Sequence, residues 1–193
     1  MTRFAGQLLL FDDSEMDSQS FMPGQRCDPA GGTVRDDEYN TPRWLWEPGL
    51  RVFGIEEYDL DPATNESATV PAYQRLTQAE NGLTCSWRLS HRQPTRLWLN
   101  PPFSQNAAFA KKLIREWKAG GIEAIVLNKH DHRVGWWWQL AEAAVGICLV
   151  RGYVQFAGQR AGYRFPVSVF FFGADYSIFE REYECLGRCF RLR

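Results

Sequence analysis

The sequence predicts an α/β sandwich, with a mostly parallel sheet, antiparallel strands towards the C-terminus and helices on both faces. In the centre of the chain, apolar runs that are typical of strands alternate with amphipathic helical segments, which implies right-handed crossovers between parallel strands. After residue 145, the runs "GICLV", "YVQF" and "PVSVFFFG" follow one another without a helix, which favours antiparallel pairing. The chain has 193 residues, 45% of them hydrophobic, which is enough for one sizeable core.

The first predicted elements follow an acidic leader. Thr41 is predicted to cap a helix with Pro42 at its first helical position, and the helix continues to about Phe53. A strand is expected from about Glu57 to Leu60. The next segment, "PATNESATVPAYQRL", is predicted to be helical in part and interrupted by Pro71.

The second group of elements starts with the strand "TRLWLN". Ser104 is predicted to cap a helix over residues 105–119, whose Phe109, Leu113 and Trp117 fall on one face and which Gly120 and Gly121 end. The run "IEAIVL" indicates a buried strand, and a helix rich in Trp and Ala is expected over about 134–145.

The sequence divides into two parts. Residues 12–40 are acidic, contain Gly, Ser and Pro, and have few periodic apolar residues, so we interpret residues 1–40 as a flexible leader and residues 41–193 as one folded domain. No run of 18 apolar residues and no signal peptide is evident, and the five cysteines suit reduced thiols, which together predict a cytoplasmic protein without a membrane span. No metal site is predicted.

Charge is distributed unevenly. The formal net charge is -1, but residues 1–80 carry six Arg, no Lys and 15 acidic residues, whereas residues 81–193 carry 16 basic and 8 acidic residues. A basic face able to bind a polyanion is one interpretation. The alternative is that the acidic half merely contains a solvated tail.

The stretch "LWLNPPFS" carries the clearest chemical signal. A parallel strand that ends in Asn100 delivers its amide to the ligand-binding edge of the sheet, and Pro101 and Pro102 make the following turn rigid. The Asn100 side-chain oxygen and the Pro101 carbonyl could accept both hydrogens of a heteroaromatic amine, while Phe103 stacks on its ring. The alternative is a turn that ends the strand, with an aromatic plug.

These residues resemble the signature [DNS]-P-P-[YFW] of the amino-methyltransferases that use S-adenosylmethionine. Residues 38–173 more specifically resemble the phage-type DNA N6-adenine methyltransferase family. The segments that carry this resemblance are, in order, "EYNTPRWLWEPGLRVFG", "YDLDPAT", "ENGLTCSW", "LWLNPPFS", "VLNKHDHRVGWWWQLA", "RGYVQF" and "FPVSVFFFG". The resemblance implies a Rossmann-like methyltransferase sheet, S-adenosylmethionine as cofactor, double-stranded DNA as substrate, and a bacterial cell with a phage or prophage as a candidate source.

The resemblance also implies roles for individual residues. Asn100, Pro101, Pro102 and Phe103 match the catalytic loop around the adenine. The residues that match the cofactor side are Thr41, Pro42, Asp59, Asp61, Pro62 and Ala63. It leaves open which aspartate contacts the ribose and which the methionine part. The glycine-rich turn of most S-adenosylmethionine enzymes is absent, and this family generally does without it.

Further residues are candidates for DNA contact. Ser104 continues the catalytic loop, and Arg151 matches a basic position of the family. Asn128, Lys129 and His130 follow the strand "IEAIVL" at the sheet edge, where they would touch the flipped nucleotide or its phosphate. The alternative for these three residues is a solvated turn.

The leader contains a second motif. Gln7, Leu8, Leu10 and Phe11 resemble the Q-L-x-L-F peptide with which bacterial replication proteins bind the sliding clamp. Such a peptide inserts apolar side chains into a preformed pocket while Gln fixes its orientation. The other interpretation is that this apolar run packs back on the domain as an edge strand.

The sequence therefore predicts an adenine-specific DNA methyltransferase that acts on a flipped-out base. Two alternatives stay open. The same chemistry could act on cytosine N4, an RNA adenine or a protein glutamine amide. The chain could also be an inactive module that binds nucleic acid or a clamp.

Overall fold

The computed structural model describes residues 40–156 and 164–193. The helices are α1 (Arg43–Phe53), α2 (Asn106–Lys118), α3 (Gly135–Ala143) and α4 (Tyr176–Tyr183), and a 3₁₀ turn covers Phe103–Gln105. The strands are β1 (Tyr58–Asp61), β2 (Ala72–Arg75), β3 (Thr95–Leu99), β4 (Ile122–Lys129), β5 (Gly146–Val150), β6 (Val154–Gln155), β7 (Arg164–Phe165), β8 (Val167–Phe172) and β9 (Gly187–Arg191).

Seven of these strands form one mixed sheet in the order β2-β1-β3-β4-β8-β5-β9. Strands β2, β1, β3 and β4 pair in parallel. Strand β8 is antiparallel to β4 and β5, and β9 is antiparallel to β5. The predicted α/β sheet, parallel first and antiparallel towards the C-terminus, is confirmed. Strands β6 and β7 form a separate antiparallel pair.

Helices cover both faces of the sheet, as predicted. One buried apolar cluster contains Leu45 and Leu50 of α1 together with Phe179 of α4. A second contains Phe109 of α2 and Leu140 of α3. The apolar runs of β4 and β8 lie between the two clusters, and every residue of β8 is buried, which is why these strands lack the alternating pattern of a half-exposed sheet.

Three local predictions were wrong. Helix α1 begins at Arg43 with Pro42 at its N-cap, so Thr41 lies one residue outside the helix and does not cap it. Helix α2 begins at Asn106 after the 3₁₀ turn, so Ser104 lies within that turn and is not its cap. The segment predicted to be partly helical instead contains β2, which Pro71 precedes and which pairs with β1.

The last helix and strand, α4 and β9, were not predicted. The Asp175 side chain caps α4 by accepting from the backbone N–H of Ser177 at 2.9 Å. Helix α4 then holds α1, because the Tyr183 hydroxyl donates to the Leu45 carbonyl at 3.1 Å and Arg51 pairs with Glu182 at 2.7 Å.

The close approach of Tyr58 in strand β1 to helix α1 depends on a glycine in that helix. The buried Tyr58 hydroxyl donates to the Trp46 carbonyl at 2.7 Å. A Cβ atom at Gly49 would lie 2.1 Å from that hydroxyl oxygen, so a larger residue there would displace the tyrosine. Strand β1 and helix α1 are therefore fixed to each other beside the point where the chain enters the helix.

No helix among the described residues is long and apolar enough to cross a membrane.

Candidate active site

A cleft opens at the carboxyl ends of strands β1 and β3, next to the start of helix α1. The space between its walls is about 260 Å³, which includes solvent at its open mouth. Its lining comes from these three elements and from the loop between β1 and β2: Asn40, Thr41, Asp61, Ala63, Thr64, Asn65, Ala68, Thr69, Val70, Trp98 and Asn100. The cleft thus brings together Asn100 of the Asn-Pro-Pro-Phe loop and three of the residues predicted to bind the cofactor, which are Thr41, Asp61 and Ala63.

Asn100 lines this cleft and has an unused acceptor. Its Nδ2 atom donates to the Thr41 hydroxyl at 3.0 Å. Its Oδ1 atom is buried and accepts no hydrogen bond from the described part of the chain. A buried carbonyl oxygen without a donor costs about 1–3 kcal/mol, and a ligand that donated hydrogen to this atom would remove that cost.

Asp61 is the acidic residue of the cleft. It is only 4% exposed, and its Oδ1 atom accepts from the Ala63 N–H at 3.1 Å. Burial raises the pKa of this carboxyl to about 7, although the Ala63 N–H and the positive charge of Arg75 oppose that change. A ligand that brings donors or positive charge would favour the ionised form.

Asp59 lies two residues earlier on β1 and has a different environment. Its Oδ1 atom accepts from Arg92 at 2.8 Å, and its Oδ2 atom accepts from the Arg96 N–H at 2.7 Å. It does not line the cleft. The structure therefore separates the two aspartates that the sequence predicted as a pair, and only Asp61 is available to a ligand there.

Asn40 is a cleft residue that sequence reasoning missed. Its Nδ2 atom donates to the Ser67 hydroxyl at 3.1 Å, which ties the start of α1 to the loop after β1. Its Oδ1 atom is buried and has no partner among the described residues. The only signal in the sequence was an Asn directly before the Thr-Pro pair, which is too common before helices to indicate a site.

The two prolines and Phe103 form the rim after Asn100. Pro101 is buried, and the Pro102 carbonyl accepts from the Gln105 N–H at 2.8 Å in the 3₁₀ turn. The Phe103 ring is partly buried and meets the Phe165 ring edge to face, with 4.9 Å between the centroids. Phe165 in turn stacks on Phe156 at 5.1 Å. Phe103 thus belongs to an aromatic cluster beside the proposed catalytic turn.

The three residues at the end of β4 that the sequence predicted to contact DNA have different environments. Asn128 is only 1% exposed, and its Oδ1 atom accepts from the Lys129 N–H at 3.0 Å. The Lys129 ammonium lies 5.7 Å from the centre of the Phe165 ring, which brings a positive charge to the aromatic cluster. His130 pairs with the Ser168 hydroxyl through Nδ1 at 2.8 Å, and burial lowers its pKa.

The remaining predicted residues lie outside the cleft lining. Pro42 and Pro62 do not line it, and Ser104 is exposed within the 3₁₀ turn before α2. Arg151 is exposed at the end of β5, which is separated from β3 by β4 and β8. Gln7, Leu8, Leu10 and Phe11, like the rest of the leader up to residue 39, fall outside the described residues, and clamp binding stays a prediction.

Comparison with known protein families gives a match over most of the chain. A family model described as DNA N-6-adenine-methyltransferase (Dam) matches residues 32–168, which is more than half of the chain. No curated protein matches the sequence.

Within residues 40–156 and 164–193, no group of three or more His, Cys, Asp or Glu residues could hold a metal ion.

Proposed function

Because the chain belongs to the DNA N-6-adenine-methyltransferase (Dam) family, we propose that it methylates the N6 amine of an adenine flipped out of double-stranded DNA, with S-adenosylmethionine as cofactor. The observation that carries this proposal is the unpartnered Asn100 Oδ1 atom, buried in a cleft that it shares with Asp61. Family membership gives the reaction at the level of a DNA adenine methyltransferase. The geometry of the cleft supports Asn100 and Asp61 as groups that would take part in this reaction.

The residues of the cleft fit S-adenosylmethionine. This cofactor carries hydroxyl and ammonium donors and a positive sulfonium, and the cleft offers acceptors to match them. Asp61 supplies a carboxylate and Asn40 an amide oxygen without a partner among the described residues. Burial raises the pKa of Asp61 despite its contacts with the chain, so hydroxyl or ammonium donors of the cofactor would stabilise its ionised form.

When bound, S-adenosylmethionine would supply an electrophilic methyl group from its sulfonium, with a neutral thioether as the leaving group, and the proton that N6 loses would pass to solvent. The chain's own contribution is to present acceptors to the amine. Asn100 Oδ1 and the Pro101 carbonyl would accept its two hydrogens, which favours a pyramidal nitrogen with an available lone pair. These groups are fixed before the base arrives, because Pro101 and Pro102 restrict the backbone.

Adenine would be held outside the duplex by stacking and by charge. A base stacked on an aromatic side chain gains about 1–3 kcal/mol, and the partly buried Phe103 follows the two prolines after Asn100. Lys129, beside the same aromatic cluster, would contact a phosphate. Ser104, His130 and Arg151 are further candidates for DNA contact, whereas the burial of Asn128 favours a supporting role for that residue.

The test measures both the product and the role of Asn100. Purified protein is incubated with S-adenosylmethionine and either double-stranded DNA or RNA, and the nucleosides are then identified by mass spectrometry. We expect N6-methyladenine in DNA. Asn100→Ala should lower kcat about 100- to 1000-fold while the affinity for the cofactor changes little, because an acceptor that acts mainly in the transition state is removed.

Gln139→Ala is a matched control, since it removes an exposed amide from helix α3 outside the cleft. It should methylate like the wild type. N4-methylcytosine, methylated RNA, or an Asn100→Ala variant that is as fast as the wild type would each contradict the proposal.

A further inference from the structure

Thr41 holds the donor end of the Asn100 amide. Its side chain is buried, with 5% of the residue exposed, and its hydroxyl oxygen lies 3.0 Å from Asn100 Nδ2. The two residues are 59 positions apart in the chain, so the contact depends on the fold. From the sequence, Thr41 was predicted to cap helix α1 and to lie beside the cofactor. Neither of these roles involves Asn100.

The orientation of that amide decides which atom faces the cleft. A primary amide has a donor end and an acceptor end of nearly equal size, so rotation by 180° exchanges them. Asp61 lines the same cleft, and its carboxylate would attract the NH₂ end. That rotated amide would offer hydrogens to an amine that itself needs acceptors, and it would oppose the proposed reaction.

We propose that Thr41 is a positioning residue: by accepting from Asn100 Nδ2, its hydroxyl keeps Oδ1 turned towards the target amine. This inference rests on the proposed function, because it assigns the cause of the amide orientation that the function needs. Two observations favour it. The donor end of the amide is occupied, and the acceptor end is buried with no partner among the described residues.

The backbone that follows Thr41 is anchored by hydrogen bonds of helix α1 and helix α4. It directly precedes Pro42, the N-cap of α1, and the Pro42 carbonyl accepts from the Leu45 N–H at 3.0 Å. The Leu45 carbonyl receives the Tyr183 hydroxyl, which connects this turn to helix α4. The hydroxyl of Thr41 therefore lies next to a supported helix terminus.

The test compares Thr41→Val with Thr41→Ser. Valine has nearly the shape of threonine but offers no hydrogen bond, whereas serine keeps the hydroxyl and loses a methyl group. We expect Thr41→Val to lower kcat about 10- to 100-fold, since misplacement of a reacting group by about 1 Å has an effect of this size. Thr41→Ser should recover most of the activity, and calorimetry should give similar S-adenosylmethionine affinities for both variants.

A readout independent of turnover follows the amide itself. The side-chain ¹⁵N–¹H signals of Asn100, assigned by their loss in Asn100→Ala, should exchange slowly with water in the wild type and in Thr41→Ser. They should exchange faster in Thr41→Val, because the Nδ2 atom then loses its Thr41 acceptor.

Three outcomes would overturn the inference. Thr41→Val could retain full kcat, it could lose cofactor affinity in proportion to its activity, or its Asn100 amide signals could be unchanged. A failure of the proposed function looks different, because in that case the wild type itself would produce no N6-methyladenine.

Discussion

The amino-terminal half of strand β1 and its carboxyl end carry the same residue type in contrasting environments. Asp59 and Asp61 are both buried, and since they are two residues apart on a strand they face the same side of the sheet. Asp59 accepts from Arg92 and from the Arg96 N–H, so both of its oxygens have donors. Asp61 accepts from the Ala63 N–H and lines a cleft.

The different environments of the two aspartates follow from their positions on strand β1 relative to the neighbouring strand β3. Strand β3 runs beside β1, and its residue Arg96 supplies a backbone donor to Asp59. Asp61 is the last residue of β1, where the chain turns away beside the cleft that its carboxylate lines. A carboxylate saturated by its own protein stabilises the fold, whereas one that lacks donors is available to a ligand.

The largest expected effect that separates the two aspartates is on cofactor binding. Asp61→Asn should weaken the affinity for S-adenosylmethionine about 100-fold, because the loss of one charged partner from a buried hydrogen-bonded pair costs about 2–5 kcal/mol. The fold should persist, since the amide oxygen of the substituted side chain can still accept from the Ala63 N–H. Calorimetry gives the affinity and thermal unfolding checks the fold, and an unchanged affinity would contradict the assignment of Asp61.

The reciprocal change, Asp59→Asn, should act on stability. We expect the free energy of unfolding to fall by about 2 kcal/mol, because hydrogen bonds to a charged group contribute about 1.5–3 kcal/mol and the Arg92 pair loses its negative charge. Urea unfolding measures this loss. Cofactor affinity of the folded variant should change little, and a variant that kept its stability but lost cofactor binding would reverse the comparison.

A smaller effect should appear when pH is varied in the wild type. The pKa of Asp61 is raised to about 7, so its carboxylate is present above pH 7 and is lost as pH falls through 7. Affinity for S-adenosylmethionine should therefore fall about tenfold between pH 8 and pH 6, in proportion to the ionised fraction. Calorimetry across this range checks it. Asp61→Asn should remove this dependence, and an equal slope in that variant would assign it to another group.

Much of the sheet could be predicted because its central strands have an unmistakable pattern. The runs that became β4 and β8 are apolar throughout, as strands buried on both faces must be. Strand β2 was not predicted, because its four residues are partly exposed and become a strand through pairing with β1. Its state is decided by a non-local contact that local pattern does not contain.

In the candidate site, too, features set by adjoining residues could be predicted, whereas contacts between residues far apart in the sequence could not. Asn100 could be placed at the sheet edge because the apolar strand and the two prolines adjoin it in the sequence. The hydrogen bond from Asn100 to Thr41 and the tether from Asn40 to Ser67 could not be predicted, because each joins residues more than 25 positions apart. The separate environments of Asp59 and Asp61 likewise depend on Arg92 and Arg96, which follow more than 30 positions later.

The contacts between helices α1 and α4 have a consequence for the order of assembly. Tyr183 and Leu45 are 138 residues apart, so α1 gains this support only after Tyr183 has left the ribosome. Until then, the turn that carries Thr41 lacks one of its anchors. We therefore expect nascent chains that stop before residue 176 to be incompetent for catalysis even though every residue of the cleft has already been synthesised.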